Sequence, residues 1–253
     1  MIGDRNQHTE GRFYVEALPV GEEALELPAR EAIHAGGSRR LAAGDFITLF
    51  DGSGWDVIAE IVSAGRGKVE VRAVSRRNVG PPLCLPVTCA TALPKGSRED
   101  ILVSKCAELG VTRFVPLEFE RSVVRPSAHW EKRKTRYRRL AIEAAKQSGA
   151  STVMEICEPL DFGEFTAAAS RGLRLIGVPG ARESVIDALS GTVAIERVTY
   201  VVGPEGGIAP EEVERAAGAG FVPVRIGPTI LRIETAAIAF SSVVGAFLGA
   251  RRG

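Results

Sequence analysis

The 253-residue chain has little of what would tie it to a metal, a disulfide framework or a membrane. Its four cysteines, Cys84, Cys89, Cys106 and Cys157, form no CxxC pair and have no histidine at ligand spacing. A disulfide scaffold and a zinc site are therefore both disfavoured, and buried free thiols with no metal are expected. The net charge is only +1, so the chain as a whole carries no polyanion-binding signature. No apolar run is expected to reach bilayer length, and the start MIGDRNQHTEGR has no signal-peptide core, so a cytoplasmic protein is expected. The nucleotide-binding patterns GK[ST] and GxGxxG are missing as well.

What is present falls into two styles. Residues 1–77 read as short strands with alternating apolar positions: RFYV, D45-FITLF, W55-DVIAEIV and V69-EVRAV, separated by the turns DGSG and AGRGK. That pattern predicts a small antiparallel β-barrel or sandwich, with REAIHAGGSRRL as a short irregular or helical connection. The Pro/Gly-rich stretch 78–83 suits a linker.

From 84 to 253 strands alternate with helices, which predicts an α/β domain with a mostly parallel sheet and ligands at strand C-termini. Ser97 is placed to cap a helix whose inner stripe is Leu102, Cys106 and Leu109, and Gly110 to stop it. A helix around 131–148 puts Tyr137, Leu140, Ala141, Ala144 and Ala145 on one side. The final helix, about 235–248, is small and apolar on most sides, which suits deep burial or a subunit interface. Its neighbour in interest is the run W130-EKRKTRYRR-Arg139, with six Lys/Arg, which is either a solvated helix face or part of a phosphate-binding surface.

Two glycine-proline loops, GPEGG and IGPTILRIETA, lie about twenty residues apart, each expected at a strand C-terminus. The helix after the first opens with Pro210, Glu211 and Glu212, and those acids would repel a phosphate at that helix end. Two tight turns, or a site where backbone closely approaches a phosphate-free ligand, both remain open on these residues alone.

The run GPEGG…EE-V…GF…V-x-IGPTILRIETAA resembles the signature of the bacterial 16S ribosomal RNA uridine-N3 methyltransferases (the RsmE type) of the SPOUT superfamily. K95-G, K105-CAELGVTRFVPL, E120-RSVV and E143-AAKQSG are similar to the family's upstream blocks, and RFYV, His34 with Arg40, and GDFITLFDGSG to its PUA-like barrel. Three positions depart from the family's usual pattern: Ala150 in place of Arg, Ile233 in place of Thr, and G177-VPGA in place of a His-Pro loop.

The resemblance implies a trefoil-knotted SPOUT domain at 84–253 behind a PUA-like RNA-binding barrel at 1–77. It implies S-adenosylmethionine as cofactor, 16S ribosomal RNA (in the 30S particle) as partner, and a homodimer. The cofactor residues it implies are Leu175, Gly177, Pro179, Val202, Gly203, Pro204, Glu205, Gly206, Gly207, Ile226, Gly227, Ile230, Leu231, Arg232, Thr235 and Ala236. Arg232 is the implied orienting cation for the uracil and Glu234 a candidate base. Arg12, His34, Arg39, Arg40, Lys95, Arg121 and Arg125 are implied RNA contacts. A methyltransferase for another RNA position, or an assembly factor that keeps the fold without catalysis, remain alternatives.

Overall fold

The computed structural model describes residues 9–251, apart from 20, 22, 23, 37–39, 66, 84, 169 and 170. Contacts divide the chain into two compact units: residues 1–80 with 145–153, and residues 81–144 with 154–253. Residues 145–153 thus belong with the N-terminal unit, whereas the sequence reading placed them in a continuous 84–253 domain.

The N-terminal unit is a five-stranded sheet in the order β1-β3-β4-β5-β2. Its strands are β1 (Arg12–Tyr14), β2 (Ala24–Glu26), β3 (Phe46–Phe50), β4 (Trp55–Gly65) and β5 (Lys68–Asn78). Helix α1 (Ala29–Gly36) lies between β2 and β3 in the chain. β3, β4 and β5 form the expected antiparallel meander. β1 instead pairs parallel to β3, Arg12 opposite Thr48, which corrects the all-antiparallel expectation. The chain between β1 and β3 is long enough to carry β2 and α1, and a crossover of that length allows parallel pairing. Alternating residues of these strands, among them Phe13, Ile47, Leu49, Val57, Ile61 and Val71, close the core.

Arg12 donates to both oxygens of Asp56, at 3.1 and 2.9 Å, to Ala150 O at 3.1 Å and to Ser151 Oγ at 3.1 Å. Ser151 Oγ and Arg77 also donate to Asp56, at 2.6 and 3.1 Å. Burial pushes the Asp56 carboxyl up, but these hydrogen bonds and the Arg12 charge outweigh it and hold it below its ordinary value. Lys146 donates to both oxygens of buried Glu31, at 2.9 and 3.0 Å. These pairs tie the returning segment 145–153 to the sheet and to α1.

The C-terminal unit holds an eight-stranded sheet whose described pairings are all parallel. In chain order its strands are β6 (Val87–Thr91), β7 (Arg113–Glu118), β8 (Glu155–Ile156), β9 (Leu160–Asp161), β10 (Leu173–Gly177), β11 (Glu183–Ser184), β12 (Val198–Val202) and β13 (Val222–Arg225). They run β11-β13-β10-β12-β6-β7-β8, with β9 also on β7. Every residue of β6 is buried, as a central parallel strand requires. The helices are α2 (Arg98–Glu108), α3 (Trp130–Ser148), α4 (Phe162–Ala167), α5 (Val185–Ser190), α6 (Pro210–Gly218) and α7 (Ile233–Ala250).

Ser97 does not cap α2 with its side chain: its backbone is already helical (φ −65°, ψ −11°) and only its carbonyl is used, by Asp100 N at 3.2 Å. Gly110 does stop the helix at φ +84°, with its Cα facing Leu83 too closely for a larger side chain. The thiols Cys89 and Cys106 are buried and free, Cys157 is half-buried and free, and Cys84 lies outside the described residues. Against the expectation from sequence, α7 is long and apolar enough to cross a membrane by length and composition, with a mean hydropathy of 1.6. One face of it is spent inside this unit: Ala237, Phe240 and Val244 are buried, and the Phe240 ring stacks on Tyr200 at 4.9 Å.

Three of the six basic residues in the run on α3 pair with nearby acids. Arg133 and Arg136 both pair with Glu99, which also accepts from Tyr137 Oη at 2.6 Å, and Lys134 pairs with Glu158. Burial, then the Glu99 hydrogen bond, push the Tyr137 phenol well above its ordinary value.

Candidate active site

Strand order decides where the glycine loops meet. β13, β10 and β12 are consecutive and parallel, so the loops that follow them leave the same edge of the sheet. These loops are 226–232 after β13, 178–182 after β10 and 203–209 after β12. Together they line a cavity of about 470 Å³, within the range of small-molecule sites.

Two of the walls contain glycines whose conformation or close neighbours disfavour a side chain. In the loop after β12, Gly207 N donates to Pro204 O at 2.9 Å, and Gly207 takes φ +76°, a turn geometry that favours glycine. A Cβ on Gly203 would lie 2.2 Å from Ile208 Cγ1, and one on Gly206 3.2 Å from Arg121 Cβ. A Cβ on Gly177 would meet the Phe240 ring at 3.1 Å and Val201 O at 3.3 Å. The loop 178–182 is closed by Val178 N to Val224 O at 2.9 Å, by Ala181 N to Val178 O at 3.1 Å, and by Arg225 Nη1 to Ala181 O at 3.2 Å.

The acids at the start of α6 have separate uses. Glu212 is buried: its Oε2 accepts from Ala209 N at 3.0 Å and its Oε1 from Glu120 N at 2.9 Å. It therefore fastens the exit of the glycine loop to the chain after β7, and its charge compensates the helix N-terminus in place of a bound phosphate. Glu211 is exposed.

Residues 81–245 match the family model described as RNA methyltransferase domain. A ribosomal RNA small subunit methyltransferase E from Mycobacterium tuberculosis is 32% identical over 239 residues, covering 92% of this chain and 90% of that protein. The chain belongs to the ribosomal RNA small subunit methyltransferase E family. The Bacillus subtilis protein of that name is 28% identical over 89% of this chain and 92% of its own length. A solved ribosomal RNA small subunit methyltransferase E from Neisseria gonorrhoeae, bound to S-adenosyl methionine, superposes with a TM-score of 0.83 at 27% identity. It covers 94% of this chain and 98% of that one.

Against this family frame, the cavity is lined by every cofactor residue expected from sequence except Leu175, Arg232 and Thr235. Leu175 is wholly buried inside β10, while Arg232 and Thr235 are exposed at the start of α7. Further lining residues are Val178, Ile208, Val213, Arg225, Thr229 and Ile233. Ile233, at a position of family departure, is 2% exposed, so its bulk is packed into the wall. Ile208, Val213 and Thr229 lie inside the two quoted loops or on the helix between them. The apolar type of Ile208 and Val213 was the only signal that could have marked those two, and the exposed, polar Thr229 carried none.

Glu234 is buried, with a 3.7 Å ion pair from its Oε1 to Arg98 Nη1. Its Oε2 is buried with no hydrogen-bond partner among the described residues. Arg98 also pairs with Glu205 at 3.6 Å; nothing in the sequence had marked Arg98 for the site.

The residues expected to meet RNA separate clearly. Arg12 is sequestered in its buried pair with Asp56, with its side chain 16% exposed. His34 and Arg40 are exposed, His34 against the Phe13 ring at 5.9 Å and Arg40 in a left-handed conformation (φ +53°). Arg39 lies outside the described residues. Lys95 and Arg121 are exposed, and Arg125, 76% exposed, pairs with Glu118 at 3.3 Å.

Proposed function

We propose that the protein transfers the methyl group of S-adenosylmethionine to N3 of a uridine in 16S ribosomal RNA. The observation that carries the proposal is the glycine-walled cavity at the C-terminal edge of β10, β12 and β13 in a chain of this family. The residues present fit the cofactor. The cavity is mostly apolar, of suitable volume, and walled by backbone at Gly177, Gly203, Gly206 and Gly207 where a Cβ would intrude or a left-handed turn is needed. Backbone groups of Gly203, Gly207, Ile226 and Leu231 would hold the adenosine. When bound, the cofactor supplies an electrophilic methyl on a sulfonium.

The chain's own part is to present an unpaired uracil and stabilise its N3 anion. N3 lies on the Watson–Crick edge, so the base must be out of any pair before it can be reached. Losing the N3 proton leaves negative charge spread over the ring, and the exposed guanidinium of Arg232 is the cation to orient the base and stabilise that charge. Glu234, beside it, is the candidate acceptor of the proton.

The resemblance supports two finer readings of the fold: a trefoil knot in the C-terminal unit, and a PUA-like, RNA-binding role for the N-terminal sheet. Exposed basic side chains exist in each unit, Arg40 in one, with His34 exposed in the same unit, and Lys95, Arg121 and Arg125 in the other. The uncovered side of α7 carries Thr235, Ser242, Ala246 and Gly249, small residues that suit helix packing in a homodimer. A cytoplasmic location and the 30S particle as substrate complete the reading.

The test is direct. Purified protein is incubated with methyl-labelled S-adenosylmethionine and either small-subunit RNA or 30S particles, and the labelled nucleotide is mapped. Label on uridine N3 is the expected result. Label on another atom transfers the proposal to a different RNA position, and cofactor binding without any label makes the protein a non-catalytic assembly factor.

A further inference from the structure

Arg98, the first residue of α2, stands between two carboxylates: Glu205, which lines the cavity, and Glu234, which follows the lining residue Ile233 on α7. Its Nη2 lies 3.6 Å from Glu205 Oε1, in the loop after β12, and its Nη1 lies 3.7 Å from Glu234 Oε1, in the first turn of α7. Both separations are ion-pair distances longer than a hydrogen bond, so the guanidinium holds the two acids by charge. The three side chains are only partly open to solvent, 29% for Arg98, 35% for Glu205 and 10% for Glu234, so screening is incomplete. One cation against two anions leaves this cluster with a net charge of −1, and Glu205 itself lines the cavity, as does the cation Arg225. Glu234 Oε2, buried and without a partner among the described residues, is an acceptor that a ligand can complete.

We propose that Arg98 is a positioning residue for this cavity. It holds the Glu205 carboxylate of the cavity wall near the Glu234 carboxylate at the start of α7, and so sets their separation and the charge that this cluster presents to a cationic ligand. Without Arg98 the two carboxylates repel each other and the charge of the cluster falls from −1 to −2. A sulfonium ligand gains from that extra charge, whereas the thioether that remains after methyl transfer does not. Arg98 therefore tempers the preference for the charged cofactor over the neutral product and keeps product exchange balanced.

The proposal rests on the cavity being the S-adenosylmethionine site, and the experiment separates the two. Binding of S-adenosylmethionine and of S-adenosylhomocysteine is measured by calorimetry for the full chain, for Arg98→Met and for Arg98→Lys, with thermal unfolding measured alongside. Arg98→Met keeps the stem but not the charge, and is expected to raise the ratio of sulfonium to thioether affinity by about threefold or more, while both affinities fall. Arg98→Lys keeps the charge and is expected to return the ratio to within about twofold of the parent. Equal losses for both ligands in Arg98→Met, with the ratio unchanged, overturn the proposal and leave Arg98 as ordinary packing. So does a ratio in Arg98→Lys that matches Arg98→Met. A parent protein that binds neither ligand removes the cofactor reading itself.

Discussion

Asp56 in the N-terminal unit and Glu234 in the C-terminal unit are both buried carboxylates, satisfied to opposite degrees. Asp56 accepts four hydrogen bonds, from two nitrogens of Arg12, from Arg77 and from Ser151. Glu234 has a single long ion pair on one oxygen and nothing on the other among the described residues. A saturated carboxylate locks structure in place, since every lone pair it lost from water has been replaced. An unsaturated one costs stability and persists where a ligand completes it. The contrast sets the Asp56 cluster, which fastens its unit, against the Glu234 end, which the proposed mechanism uses.

The largest effect that would sharpen this contrast is on stability. Asp56→Ala strands Arg12 in a buried position and is expected to lower unfolding free energy by about 3–5 kcal/mol, read by urea denaturation. Cofactor affinity of the folded protein should not change; a parallel loss of affinity would break the comparison. The same cluster sets a pH dependence. The Asp56 carboxyl sits below its ordinary value when folded, so its contribution is fully present above the unfolded value and is lost as pH falls through the folded one. Stability of the parent should therefore decline into the acid range more steeply than that of Asp56→Asn.

At the working end, Arg232→Ala is expected to lower the methylation rate constant by about a hundredfold, with unchanged stability and cofactor affinity. Near-normal turnover would remove Arg232 from the chemistry. Gly203→Ala forces a Cβ into Ile208 and is expected to cost about 1–3 kcal/mol, felt as weaker S-adenosylmethionine binding by calorimetry. The smallest effect belongs to exposed cations. Arg125→Ala gives up a surface pair worth at most about 1 kcal/mol. As an RNA contact it would reduce the salt slope of RNA binding by roughly 0.7. Arg12→Ala should instead destabilise the protein, and a pure loss of RNA affinity from it would overturn the assignment of Arg12 to the fastening.

Much of the C-terminal unit was legible because its signals are local. The stripe of Leu102, Cys106 and Leu109 gave α2, the apolar positions around Tyr137 gave α3, and Pro210 with its acids marked the start of α6. Ser97 misled because a capping residue is recognised by type, whereas its use depends on a backbone angle that the turn at Gly96 determines (φ +70°). The short elements β8, β9 and α4 were not anticipated; two-residue strands carry no periodicity to detect.

By itself the sequence determined the two styles of chain, the two glycine loops and, through the family resemblance, what the loops are for. Those depend on local conformation: where backbone must turn tightly, where a side chain must be absent, and how apolar residues recur. Tertiary structure decided that β13, β10 and β12 are neighbours, which is why the three segments that the resemblance assigned to one cofactor site share one cavity. It alone decided the charge partners, pairing Arg12 with a carbonyl 138 residues away and setting Arg98 between Glu205 and Glu234. The physical reason is that Coulomb and hydrogen-bond partners are chosen by distance in space, and a linear sequence does not encode that distance locally.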